Sequence, residues 1–156
     1  MVLHCDYNVA HTNVVLGLVE SLVGLIPAGG GCKEMLWRWL QTPEGKENSE
    51  HASMKVFDLI GYAITATSPN EALPNQFFLE KDKVVINRDR QLSTAIDLLN
   101  TIVGVYEKPS QPKFNLGGSA VRDKMFEKLE ALYNENKILD KQNKLKILKF
   151  KQVFLY

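Results

Sequence analysis

Apolar residues recur at helical spacing in four stretches of this chain. The clearest lies within residues 87–104, where Leu92, Ala95, Ile96, Leu99, Ile102 and Val103 share one face. Such a face serves a core or an oligomer contact far more often than a ligand. Val121, Met125, Leu129, Leu132 and Tyr133 mark a second helix over residues 119–136, with Lys124, Glu127, Lys128 and Glu130 on a solvated side. Met54, Phe57, Ile60 and Gly61 predict a helix over 51–64. Met35, Leu36, Trp37, Trp39 and Leu40 predict another over 32–41. A shorter helix starts after Ser68, where Pro69 and Glu71 complete a capping-box arrangement, and runs to about residue 74.

Extended signals are few. Val2, Leu3, Tyr7, Val9 and Ala10 predict a strand over residues 1–12. Two short extended pieces, Phe77-Phe78-Leu79 and Val84-Val85-Ile86, flank a charged turn. Residues 42–50 read as a polar, solvated loop, and 106–118 as a Pro/Gly/Ser-rich connection. Between 13 and 31, Gly24, Pro27 and three successive glycines prevent any long regular element. The pattern therefore predicts an α/β chain with few strands and mostly helices.

Bulk properties narrow the function little. The length of 156 residues suits one domain with a reasonable core. A net charge of +1 gives no electrostatic argument for nucleic acid or a membrane surface. The charge is uneven: from Val121 onward nine Lys/Arg face five Asp/Glu, and residues 141–156 hold five lysines and no acid. No run approaches the roughly 18 apolar residues of a membrane span. The opening has no basic segment or long apolar run, so no signal peptide is expected. Cys5 and Cys32 do not form a metal-type pair and read as reduced thiols of a cytoplasmic protein. His4 and His11 have no carboxylate or cysteine at metal-ligand spacing, so no metal is expected.

The chemistry concentrates between Leu16 and Gly31. Glu20 sits there in an apolar, glycine-rich setting, followed by Gly24-Leu25-Ile26-Pro27 and Ala28-Gly29-Gly30-Gly31, then a helix signal. Desolvation disfavours the charged form of such an acid, which suits general acid/base work. Glycines let backbone N–H groups approach a ligand closely. A helix N-terminus behind a glycine loop can hold an anion, although the Gly-Lys-Ser/Thr ending of a P-loop is absent. Taken alone, these residues fit a surface or loop carboxylate beside a tight turn better than a catalytic acid.

This stretch resembles the enoyl-CoA hydratase/isomerase (crotonase) family, whose members place a glutamate before an apolar turn ending in Ile-Pro-Gly-Ala-Gly-Gly and a helix. Val19 and Ala28 depart from the family's proline and first glycine. The variant Gly-Leu-Val-Glu followed by Gly-Gly-Gly-Cys-Lys-Glu is most similar to the hydratase domain of fused 3-hydroxyacyl-CoA dehydrogenase/enoyl-CoA hydratases of fatty-acid β-oxidation. The order of elements after it, including Ser68-Pro69-Asn70-Glu71-Ala72, also resembles the family. The resemblance implies a truncated crotonase (ClpP-like) fold over residues 1–140, with 141–156 a basic tail of replaced sequence.

It also implies site roles. Glu20 would be the second catalytic glutamate, which exchanges the Cα proton, and Ala28, Gly29 and Gly30 would touch an acyl-CoA thioester. No cofactor is implied for these residues; NAD would belong to a fused dehydrogenase part. The family's first glutamate lies twenty residues before the second, a count that ends just before Met1, and the oxyanion donors also lie upstream. The implied activity is that of a hydratase fragment inactive alone. It would act with a complementing upstream fragment or as a homo-oligomer. Two other readings stay open: a single-glutamate enoyl-CoA isomerase, and a non-catalytic helical interaction module.

Overall fold

A computed structural model describes residues 2–110 and 112–135. The predicted basic tail, 141–156, and the last residue of the predicted final helix lie outside the described residues. The chain divides into two compact units, Met1–Gly17 with Thr65–Lys113, and Leu18–Ile64 with Phe114–Tyr156.

In the first unit, strand β1 (Val9–His11) pairs in parallel with β4 (Lys83–Val85), Ala10 opposite Val84. Strand β2 (Leu16–Gly17) pairs antiparallel with β3 (Thr65–Ala66). The strand expected over 1–12 is thus mostly absent. Val2–His4 is a 3₁₀ turn, and only three residues extend. Asp82 explains where pairing begins: one carboxylate oxygen accepts from the Asn8 N–H at 2.9 Å, the other from the Leu79 N–H at 2.9 Å. The extended piece expected at Phe77-Phe78-Leu79 also fails to form. The Phe77 and Phe78 amides turn back to the Ala72 carbonyl, and both rings are buried.

Helix α4 (Pro69–Ala72) forms where the Ser68-Pro69 signal placed it, though it stops sooner. The Ser68 hydroxyl accepts from the Glu71 N–H, but the Glu71 carboxylate reaches one residue further back than a standard box. It accepts from the Thr67 N–H at 2.7 Å and the Thr67 hydroxyl at 2.8 Å. Those two bonds hold the Glu71 carboxyl below its ordinary range. A 3₁₀ turn over Arg88–Arg90, capped by the Asn87 side chain, leads into α5 (Gln91–Ile102). Gln91 Nε2 donates to the Val9 carbonyl at 2.8 Å, tying α5 to β1. No residue of α5 is fully buried.

The second unit is helical: α1 (Gly31–Leu40), α2 (Pro43–Glu47), α3 (Ser49–Gly61) and α6 (Gly118–Glu135). Residues 42–50, expected as a loop, form α2 and the start of α3. Two local caps override the polar composition. Thr42 Oγ1 accepts from the Gly45 N–H at 3.0 Å with Pro43 at the first position, and Asn48 Oδ1 accepts from the amides of Glu50 and His51. The core closes where Phe57 of α3 meets Val121, Met125 and Leu129 of α6, with Met54 and Phe126 against them. The side of α6 expected to be solvated is exposed at Lys124, Glu127 and Glu130, and two of its lysines reach α3 from there: Lys128 pairs with Asp58 at 2.6 Å and Lys124 with Glu50. Partly exposed pairs of this kind contribute about 0–1 kcal/mol each, so the apolar cluster dominates this contact.

Candidate functional site

The Glu20 segment belongs to the second unit. As expected for residues 13–31, no long element forms. Glu20 opens a four-residue 3₁₀ turn, Glu20–Val23, that ends at Gly24 in the left-handed region (φ 73°). The Leu25 N–H closes back on the Glu20 carbonyl at 2.9 Å. Ser21, buried directly beside the acid, donates its hydroxyl to the Ile60 carbonyl at 2.7 Å. That bond pins the turn to the end of α3. Sequence reasoning passed over Ser21; its signal was a lone hydroxyl within an apolar run.

Pro27 is buried and Gly31 packs on it. A Cβ on Gly31 would lie 3.0 Å from Leu18 Cδ2 and 3.4 Å from Pro27 Cβ, so this glycine allows α1 to start hard against the elbow. Ala28, Gly29 and Gly30 form an exposed turn. The Gly31 N–H reaches the Ala28 carbonyl at 3.3 Å, and Gly29 and Gly30 take φ of 63° and 81°. Two successive positive φ values make this turn accessible to glycine at low cost. Glu20 and this turn therefore lie on one continuous segment, fixed at Ser21, Pro27 and Gly31.

One oxygen of Glu20 stands out by its lack of a partner. Oε2 is buried without a hydrogen-bond partner, a condition shared among the described side chains only with Trp39 Nε1. Leaving such a group unsatisfied costs about 1–3 kcal/mol, and more for a charge. Cys32, in the first turn of α1, is close enough to sense the acid. Burial pushes its thiol up; its own backbone N–H opposes this, and the Glu20 carboxylate adds to the rise. Its Sγ faces the Pro27 carbonyl at 3.9 Å. Cys32 was legible only as a reduced thiol; its link to Glu20 depends on how the elbow folds back.

An alkylation experiment follows from this arrangement. Cys5 is exposed and Cys32 is partly buried. Iodoacetamide should label Cys5 first, and the pH midpoint for Cys32 should lie above the ordinary thiol value of about 8.5. Glu20→Gln should lower that midpoint by removing a neighbouring negative charge. Peptide mass spectrometry across pH reads both effects. A Cys32 profile indifferent to Glu20→Gln would contradict the proximity.

Two open clefts lie in the first unit. One, about 390 Å³, is lined by Asp6, Tyr7, Val9, Leu98, Ile102 and Tyr106 among others. The other, about 280 Å³, is bounded by His11, Phe78, Arg88 and Gln91 among others. Glu20 lines neither. Among the described residues, no group of three His, Cys, Asp or Glu side chains could hold a metal ion, and no helix is long and apolar enough to cross a membrane.

Comparison with known proteins gives one clear relative. The chain is 35% identical over 100 residues to a protein of Bacillus subtilis (strain 168) named a probable 3-hydroxyacyl-CoA dehydrogenase. The match takes in 64% of this chain but only 12% of that protein's length. No family model matches the chain. No solved structure matches it either.

Proposed function

We propose that residues 18–31 are the glutamate-bearing half of an acyl-CoA thioester site in a protein of fatty-acid β-oxidation, of the enoyl-CoA hydratase type. The observation that carries this reading is Glu20 Oε2, a buried acceptor with no protein donor, held on a rigid elbow next to an exposed glycine turn. An acid whose oxygen is desolvated and uncommitted is suited to exchange a proton with a substrate carbon. The similarity to a probable 3-hydroxyacyl-CoA dehydrogenase supports the metabolic setting. The reading assigns these residues no dehydrogenase step and no NAD. The few-stranded α/β architecture is compatible with the later part of a crotonase-type domain spanning residues 1–140.

In this reading Glu20 delivers the proton to Cα as water adds at Cβ. The turn at Ala28, Gly29 and Gly30, with the N-terminus of α1 behind it, faces the polar part of the thioester. Activation of water and stabilisation of the enolate oxygen require groups that the family resemblance does not locate among these 156 residues. A missing general base costs roughly 10²- to 10⁴-fold, and each missing oxyanion donor about 10²- to 10³-fold. The 156-residue chain should therefore bind a thioester without hydrating it efficiently.

Crotonyl-CoA tests both halves of the statement. Hydrogen exchange should show thioester-dependent protection within residues 18–31, retained in Glu20→Gln. The hydration rate of the chain should equal that of Glu20→Gln. Protection confined to other segments would overturn the assignment of the site. Turnover well above the variant's would show that this chain holds a complete site.

A further inference from the structure

The smaller cleft of the first unit holds a cation that the fold leaves uncommitted. β1, the 3₁₀ turn at Arg88–Arg90 and the start of α5 contribute to its walls. Most of its polar side chains are used by the fold itself. Asn8 Nδ2 donates to Asp82 at 3.2 Å, and Gln91 Nε2 donates to the Val9 carbonyl at 2.8 Å. His11 is engaged at both ring nitrogens. Nδ1 accepts from the Asn13 N–H at 3.1 Å, so Nε2 is the donor, to the Ile86 carbonyl at 2.8 Å. In this arrangement the ring brings no charge to the cleft.

Arg88 differs. It is exposed, and among the described residues its guanidinium has neither a hydrogen bond nor an ion pair, even with the adjacent Asp89. The side-chain amide of Asn13 is likewise unused within the described residues. Apolar side chains complete the walls, with Val2, Val9 and Val14 partly buried and Phe78 buried. No carboxylate lines the cleft, and Arg88 is the one charged side chain that does.

These features select a ligand. The planar fork of a guanidinium matches the two oxygens of a carboxylate. One guanidinium also balances one negative charge. A phosphate dianion would keep an uncompensated charge against apolar walls, which is costly. The volume, about 280 Å³, lies at the small end for ligand pockets. It admits a short hydrocarbon body but not a nucleotide.

We propose that this cleft binds a small monocarboxylate, its charge on Arg88 and Asn13 and its short apolar body against Val2, Val14 and Phe78. The proposal is independent of the acyl-CoA reading, since all these residues lie in the first unit and Glu20 lies in the second.

Hexanoate is the probe, titrated at neutral pH into the full 156-residue chain and followed by ¹⁵N–¹H NMR. The signals of Asn13 and Arg88 should shift with a Kd of about 1 mM, the scale expected for a ligand of about eight heavy atoms. Hexanol lacks the charge and inorganic phosphate lacks the apolar body. Each should bind at least about tenfold more weakly than hexanoate. Arg88→Gln should weaken hexanoate binding at least about tenfold. Its circular dichroism should stay unchanged, because the side chain is exposed and holds nothing else. If that variant perturbs folding, Asn13→Asp, which sets a like charge in the cleft, should give the same loss. Absence of shifts at Asn13 and Arg88 up to about 20 mM hexanoate would overturn the proposal. So would binding that a folded Arg88→Gln leaves intact. Phosphate binding as tightly as hexanoate would overturn the apolar half, and hexanol binding as tightly would overturn the charged half.

Discussion

Phe57→Ala is expected to destabilise the second unit by about 3–5 kcal/mol, the usual range for deleting a buried phenylalanine. The ring stands at the junction of α3 and α6, almost fully buried against Val121, Met125 and Leu129. Its removal opens a cavity that two helices joined by a distant chain connection are poorly placed to collapse. Total stabilities of small domains are about 5–15 kcal/mol, so the loss consumes a large part of the whole. Trp37 and Trp39 both lie in α1 of this unit, so tryptophan fluorescence in a urea titration follows it selectively. A shift below about 1 kcal/mol would mean that α6 contributes little to the stability of α3.

Gly45→Ala should produce the second large effect, for a different reason. A Cβ at this position would stand 1.9 Å from the Trp39 carbonyl oxygen. That oxygen is not free to retreat, because it also accepts from the Thr42 hydroxyl at 2.8 Å. Relief requires moving the α1–α2 junction as a whole. Overpacking of this type costs about 1–3 kcal/mol, and the rigid obstacle places the change near the top of that range. For a chain of this size the melting temperature should fall by roughly 4–12 °C. Melting followed by circular dichroism checks it, and an unchanged midpoint would show that the junction yields easily.

Legibility in the sequence followed the range of the interactions involved. Long periodic stretches, such as those containing Phe57 and Val121, gave helices in the expected places because one repeated face dominates. The Ser68-Pro69 start was equally plain, being a local backbone effect. Residues 42–50 failed because composition outweighed capping: Thr42 and Asn48 are loop residues by count but helix starters by position. The opening segment failed because β-prone residues extend only where a partner strand exists, and β4 offers three positions.

At the candidate site, the irregular run and the special backbone of Gly24, Gly29 and Gly30 could be read from residue types alone. The anchoring of Ser21 to Ile60 and the nearness of Cys32 to Glu20 could not, since both depend on tertiary approach. The unequal fates of the α5 and α6 faces were invisible for the same reason. Periodicity marks a face as apolar but does not say what covers it.

The pairing of α3 with α6 has a consequence for the chain's life before it is folded. Lys128 and Asp58 touch across 70 sequence positions. Closing so long a loop adds only slowly to the thermodynamic cost, but it delays the contact during synthesis. At about 5–20 residues per second, the ribosome needs roughly 4–14 s to make the intervening chain. Throughout that interval Met54 and Phe57 are made but lack the helix that covers them. The nascent polypeptide thus displays a greasy helix for seconds, long enough for a holding chaperone to engage it.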